Sequence, residues 1–468
     1  MVRNTTSNSF FNKLYYPIVY RVSSATGKII NDNKKIGMVV YIVLVAIVVD
    51  TMINQNADSL SAQNSSALGM VLFIVMASVC IIGQYFILEY TKAKTGEIRT
   101  KRQYIKILHV IVTVIQYLLI SIFLVLIANT VLFQHYSTVS LAIVTAAAYG
   151  LNIGLMAIFA KIFFSWYRWN RYSPVVLLYA LSFVAVVINS SVFLTASVYR
   201  FTEKPLDVFP YSKVAFLKPE EGSLLSNLRE IYHFSDIASF VLKWVATVFL
   251  LYHYSQKIGR AKYWVLVGIP LAYFLGTFMD DFHIYQPQSA SDSFYWYLYS
   301  SLNSSAGGIM FGIGFMLGAK HFPEKSSIKN YMIMSGFGFM LFFSAGQSTL
   351  AVSPYPPYGF ATMSFFGLST YLILIGLYCS AISVSEDVEL RAHIKKSALR
   401  EARFLDGIGT AHMERELIKR MVVKAKEEQN ELTTESGGVR PSISESDIIN
   451  IVKEVEKDVK KQDVDHST

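Results

Sequence analysis

The chain has 468 residues, 53% hydrophobic and only 16% charged, with a formal net charge of +9. Soluble domains average about 25% charged residues, so an ordinary soluble protein is excluded. Cys80 and Cys379 both lie inside apolar blocks, which excludes a disulfide framework and a cysteine-based metal site.

Residues 1–35 form a polar N-terminal segment carrying Arg3, Lys13, Arg21, Lys28, Lys34 and Lys35. A cleavable signal peptide would bring its apolar core earlier and end in small residues, so the first span is read as the targeting signal. The region 36–385 then alternates between polar connections and apolar blocks of roughly 18–28 residues, the length that crosses a hydrocarbon core about 30 Å thick. Only helices and closed barrels satisfy their backbone in lipid, and continuous rather than alternating apolar sequence selects helices. The fold class is therefore all-α, a polytopic transmembrane bundle. Ten spans are expected, at 36–53, 67–89, 105–132, 139–165, 175–198, 234–255, 263–280, 299–319, 330–352 and 360–385.

Lysine and arginine punctuate these blocks on alternate connections. Lys92, Lys94, Arg99, Lys101, Arg102 and Lys106 flank the connection after span two. Lys161, Arg168 and Arg171 follow span four, Lys257, Arg260 and Lys262 follow span six, and Lys320, Lys325 and Lys329 follow span eight. The connections 54–66, 133–138, 281–298 and 353–359 contain neither residue. Positive residues are retained in the cytosol, so both termini are expected inside, in a multi-pass protein of the plasma membrane. The net positive charge then belongs to the inner membrane surface and to anionic lipid, and no nucleic-acid partner is expected.

Among the outer connections, 199–233 is the longest, with Pro205, Pro210 and Pro219 ahead of an amphipathic run from Ser223 to Ile231 that reads as a short cap. The connection 281–298 adjoins Asp280 and carries Asp281, His283 and Asp292 beside Phe294-Tyr295-Trp296-Tyr297. The aromatics read as interface anchors, while the carboxylates and histidine form a candidate cation site. Pro354, Pro356 and Pro357 make 353–359 a rigid turn that neither flanking helix can continue through.

Lys243 stands out inside span six, where an ammonium costs at least ~2.5 kcal/mol on insertion scales. Its expected partner is Asp236 on the same helical face, with Asp50, Asp280 and the amides of Asn152, Asn189, Asn303 and Gln347 available across the bundle. The bland alternative is a lysine that snorkels to the interface. Asn303, Ser304 and Ser305, with Gln347 and Ser348, could line a polar cavity next to the glycines of span eight. Those glycines, Gly308, Gly312, Gly314 and Gly318, have the four-residue spacing of close helix packing, as do Gly150 and Gly154. Pro270 should kink span seven.

Beyond Ser385 the composition becomes charged. A cytosolic helix is expected over 386–430, with an apolar stripe from Leu390, Ile394, Leu405, Ile408, Leu417 and Met421 that Gly407 and Gly409 interrupt. A flexible linker at 431–445 precedes 446–468, where Ile448, Val452, Val455 and Val459 share one face of a short helix capped by Ser446. Such a face needs a surface to cover it. His412 on the first tail helix lacks the context of a histidine-kinase site.

No phosphate loop, dinucleotide fingerprint, zinc-protease motif or nucleophile elbow occurs, so no cofactor is expected and the chain is read as a non-enzyme. The turn Tyr355-Pro356-Pro357-Tyr358-Gly359, the segment Tyr371-Leu372-Ile373-Leu374-Ile375-Gly376 and the run from Phe404 to Thr410 together resemble a family of archaeal multispan membrane proteins. That resemblance implies an archaeal-type plasma membrane and carries no activity. Two function classes remain. The tail favours a membrane sensor or scaffold that recruits a cytosolic partner through 386–468. Lys243, the glycines of span eight and Pro270 favour a secondary transporter, although the two halves of the bundle show no convincing inverted repeat.

Overall fold

Where apolar sequence runs unbroken, intrahelical hydrogen bonds are the local way to satisfy each peptide group, and the structure follows that rule. The computed structural model describes residues 32–55, 67–169, 174–202, 207–208, 222–252, 259–276, 307–320, 322, 326–345, 355–386 and 400–435. Almost all of these are helical. In chain order the helices are α1 (Asn33–Gln55), α2 (Ala67–Lys94), α3 (Gly96–Lys101), α4 (Gln103–Leu132), α5 (Thr138–Trp169) and α6 (Pro174–Thr202). After them come α7 (Leu224–Leu251), α8 (Arg260–Gly276), α9 (Gly307–Ala319), α10 (Ser327–Ala345), α11 (Phe360–Met363), α12 (Phe365–Glu386) and α13 (Arg400–Glu435).

Every expected apolar block holds a helix. Among the described residues, six helical segments are long and apolar enough to span a membrane: α1, α2, α4, α5, α6 and the pair α11–α12. Helix α7 is as long as α2 but carries Arg229, Glu230, Asp236 and Lys243. It begins earlier than expected, because Ser223 caps it by accepting a hydrogen bond from Ser226 N–H at 3.2 Å. The amphipathic run 223–231 is thus the first two turns of α7 and not a separate cap. Pro270 lies inside α8 as expected.

Contacts between connections sort the helix ends into two sets. At one end, Tyr136–Ser137 (β1) pairs antiparallel with Asp207–Val208 (β2), Tyr136 facing Val208. Tyr136 also stacks on Tyr355, whose hydroxyl donates to Thr130 O at 2.8 Å. Three of the connections expected outside therefore meet. At the other end, Asn33 Nδ2 donates to Asn330 Oδ1 at 2.8 Å, and Tyr90 OH donates to Asn33 Oδ1 at 3.1 Å. These residues begin α1, begin α10 and lie near the end of α2. Arg102, just before α4, reaches Glu386 at the end of α12 and Glu416 on α13, so it shares this end.

The centre of the bundle is the last span. Of its window, 94% is buried, against 28% for α4. Close approach makes this possible: a Cβ on Gly376 would lie 2.6 Å from Tyr331 O, so α10 packs backbone to backbone on α12. Gly308 and Gly312 pack likewise against α10, as their spacing predicts. Gly150 and Gly154 do not, for nothing lies within 4 Å of a Cβ placed on either.

The tail helix α13 runs unbroken through Gly407 and Gly409. A Cβ on Gly409 would meet Val384 Cγ1 at 2.5 Å, so this glycine marks a close approach to α12 and not an interruption. The buried face consists of Ile408, Ala411, His412, Ile418 and Val422. Leu417 and Met421, expected on the apolar stripe, lie on the exposed side. Helix also continues to Glu435, five residues into the expected linker. The short helix expected at 446–460 lies outside the described residues.

Candidate functional site

Among the described residues four polar centres stand out, three of them buried in the bundle and the fourth partly exposed at one end. The first surrounds Lys243 on α7. Its side chain is 1% exposed, so it does not snorkel. The ammonium donates to Ser239 Oγ at 2.6 Å, one turn back on the same helix, and lies 5.4 Å from the ring centres of both Phe342 and Phe343 on α10. Cation–π attraction of this kind strengthens when the site is dry. Thr247 Oγ1 donates to Lys243 O and meets Tyr179 OH at 3.0 Å, fixing this stretch of α7 against α6.

Asp236 and Ser239 line a small cavity of about 50 Å³ with Tyr149, Asn189, Tyr232 and Phe342. Such a space takes a few waters, at 10–15 Å³ of probe volume each. Asn189 Nδ2 donates to Tyr232 O at 3.1 Å, which sets one wall. Lys243 thus hydrogen-bonds Ser239 and not Asp236; Asp236, Asn189 and Ser239 line the chamber, and Lys243 touches it only through Ser239. Of the other expected partners, Asn152 lies elsewhere: its Nδ2 donates to Ser190 Oγ at 2.8 Å, and its Oδ1 accepts from Thr370 on α12. Asn303 and Gln347 lie outside the described residues, as do Asp280, Asp281, His283 and Asp292 of the expected cation site.

Asp50 forms the second centre, and it does not face Lys243. It is 2% exposed and accepts from Gly359 N at 3.1 Å and from Thr362 Oγ1 at 2.6 Å. Gly359 adopts a left-handed φ of 85°, which turns its N–H toward α1 and which glycine alone reaches without strain. Tyr358 OH donates to Gly69 O at 2.6 Å. The proline-rich turn is therefore pinned between α1, α2 and α4, a buried clamp in place of a surface stop.

Where α11 breaks into α12, Ser364 gathers the third centre. Gln84 Nε2 on α2 donates to Ser364 Oγ, and Gln116 Nε2 on α4 donates to Ser364 O at 3.4 Å. About two turns further on, Tyr371 OH meets His109 Nδ1 on α4 at 2.8 Å.

The fourth centre is ionic and lies at the end shared by Arg102 and α13. Arg102 Nη2 reaches Glu386 Oε1 at 3.2 Å, while Nη1 reaches Glu416 Oε2 at 3.3 Å. Burial works against the charge on Glu416, but the hydrogen bond and charge of Arg102 outweigh it and hold the carboxyl below its usual range. His412, one turn before Glu416, packs edge-on to Trp166 and Tyr378. Burial pulls its pKa down to about 4, and neither ring nitrogen has a hydrogen-bond partner among the described residues. Beside this node opens a cavity of about 1140 Å³. It is bounded by α4, α5, α12 and α13.

Sequence reasoning located Lys243, Asp236 and Asn189 but missed the Arg102 node and the Asp50 clamp. An acidic residue within span one was the available signal for the clamp, and the i, i+4 pair Ser239–Lys243 was the signal for the lysine's own donor site. No group of three His, Cys, Asp or Glu residues able to hold a metal occurs among the described residues. Compared with family models, curated proteins and solved structures, the chain matches none of them.

Proposed function

We propose that this is a ten-span protein of the plasma membrane with both termini in the cytosol, acting as a membrane sensor or scaffold whose tail recruits a cytosolic partner through 386–468. The observation that carries the reading is the double-sided tail helix. One face of α13 is buried on the bundle through Ile408, Ala411 and His412, and Arg102 ties it to the end of the central span. The other face holds Leu417 and Met421 half exposed, one turn apart. A change in packing around α12 therefore reaches α13 directly, and the outer face of α13 offers a partner an apolar anchor. A photo-crosslinking residue in place of Leu417 tests this in intact cells. One protein adduct, lost on Met421→Glu, is the expected result; adducts with lipid alone would reverse the reading.

A second reading, a secondary transporter, rests on the buried Lys243 ammonium, which donates to Ser239 on the wall of the small chamber that Asp236 also lines. The chamber admits water or a proton but no organic solute in this conformation. Lys243→Leu removes the buried cation beside it. Loss of proton uptake into proteoliposomes with the fold retained would support this reading, and unchanged behaviour would end it.

A further inference from the structure

The cavity beside Arg102 has the chemistry of a lipid-headgroup site. Its rim carries Lys161 and Arg168 on α5 and Arg415 and Lys419 on α13, all exposed. None of these four forms an ion pair within 4 Å among the described residues, and the nearby carboxylates Glu386 and Glu416 are already engaged by Arg102. With Arg102 and Glu416 also on the lining, five cations face a single carboxylate around a concave space, and that carboxylate is bonded to Arg102. The wall below them is apolar, formed by Ile105 on α4 and Ile158 and Ile162 on α5. Tyr104 and Tyr378 meet edge to face at its mouth, the amphipathic rings expected at headgroup depth.

We infer that this cleft binds an anionic glycerophospholipid, its phosphate among Lys161, Arg168, Arg415 and Lys419 and a hydrocarbon chain along the isoleucine wall. A free phosphate would satisfy the cations but would leave that wall without an occupant. A volume of about 1140 Å³ holds a headgroup together with the first part of a chain. Because two of the cations belong to α5 and two to α13, the lipid bridges the bundle and the tail. Bound lipid therefore holds α13 in its docked position, and its loss frees the helix. This regulatory step rests on the reading of α13 as a signalling tail; the binding itself does not.

The test uses the full-length protein in nanodiscs of phosphatidylcholine with or without phosphatidylglycerol, followed by native mass spectrometry of retained lipid and amide exchange of 407–422. Retention of phosphatidylglycerol is expected to weaken about fivefold for each cation removed in Lys161→Gln, Arg168→Gln and Lys419→Gln. The controls Lys262→Gln and Lys320→Gln, exposed at other basic connections, should retain it. Exchange at 407–422 should quicken in pure phosphatidylcholine and in the cleft variants alone. Equal loss in cleft and control variants would overturn the site by showing diffuse surface attraction. Saturable binding of inorganic phosphate at the same residues, with no preference between the two lipids, would overturn the lipid assignment. Lipid retained as expected, with exchange unaltered, would leave the site standing and end its coupling to the tail.

Discussion

Helices α4 and α12 are both uninterrupted apolar segments, yet they occupy opposite positions. The more apolar of the two, α4, turns most of its surface outward, with Ile107, Ile111, Val114 and Leu118 exposed. The last span is less apolar and almost wholly enclosed. Its enclosed residues include Thr362, Ser364, Ser369, Thr370, Ser380, Gly367 and Gly376. In lipid the solvent is as apolar as leucine, so extra hydrophobicity does not drive a helix inward. Close backbone approach and interhelical hydrogen bonds do, and α12 has the small and hydroxylated residues to make both.

The strongest way to break this contrast is to remove the clamp at the entrance to the central span. Asp50→Ala leaves the Gly359 N–H and the Thr362 hydroxyl buried without their acceptor. At about 1–3 kcal/mol for each stranded group, a loss of roughly 2–6 kcal/mol is expected. Unfolding in mixed micelles measures it, and a loss below about 1 kcal/mol would show that the turn holds without α1. Next in size is Leu374→Ala on α12, where the side chain is 1% exposed. No transfer from water is involved in lipid, so only the cavity contributes. At about 24 cal/mol per Å³, a void of about 80 Å³ costs about 2 kcal/mol.

The same distinction explains what was legible in the sequence. The positions of α1, α2, α4, α5 and α6 follow from apolar blocks and basic punctuation, because length and charge are what a bilayer selects. The grouping of ends follows too, as Arg102 meeting Glu386 and Tyr136 stacking on Tyr355 illustrate. Which helix would be central was not legible, since hydropathy scores burial in lipid and burial in protein alike. Glycine spacing shares that blindness: Gly308 and Gly312 pack against α10, whereas Gly150 and Gly154 with the same spacing face open space. Lys243 was visible because an isolated charge contradicts its surroundings. Asp50 lay near a span end, where a carboxylate reads as an ordinary boundary, so its role in the clamp depended on a partner three hundred residues away.

A smaller effect concerns the contact between the central span and the tail. His412 faces Glu416 on its own helix, with Arg102, Arg415 and Glu386 also near, and its pKa is about 4 in place of 6.5. The docked state therefore requires the neutral ring. Its contribution is fully present above about pH 6.5 and is lost as pH falls toward 4. Docking of α13 should weaken over that window by at most about tenfold per pH unit, read as faster amide exchange at 407–422 after correction for intrinsic rates. His412→Phe should remove the dependence. A slope that persists in that variant would assign it to the carboxylates around Arg102.

The smallest effect is expected on α4, and it tests the comparison from its other side. Leu118 is 50% exposed on a face of α4 that no helix covers among the described residues, so Leu118→Ala opens no cavity there. Lipid chains fill the space the side chain leaves, which an ordered neighbour such as Ile373 beside Leu374 does not do. The change in unfolding free energy should stay within about 0.5 kcal/mol. A loss matching that of Leu374→Ala would mean that the outward face of α4 is covered in the membrane, by a second copy of the chain or another protein. The low burial of α4 would then mark an interface between proteins instead of a surface for lipid.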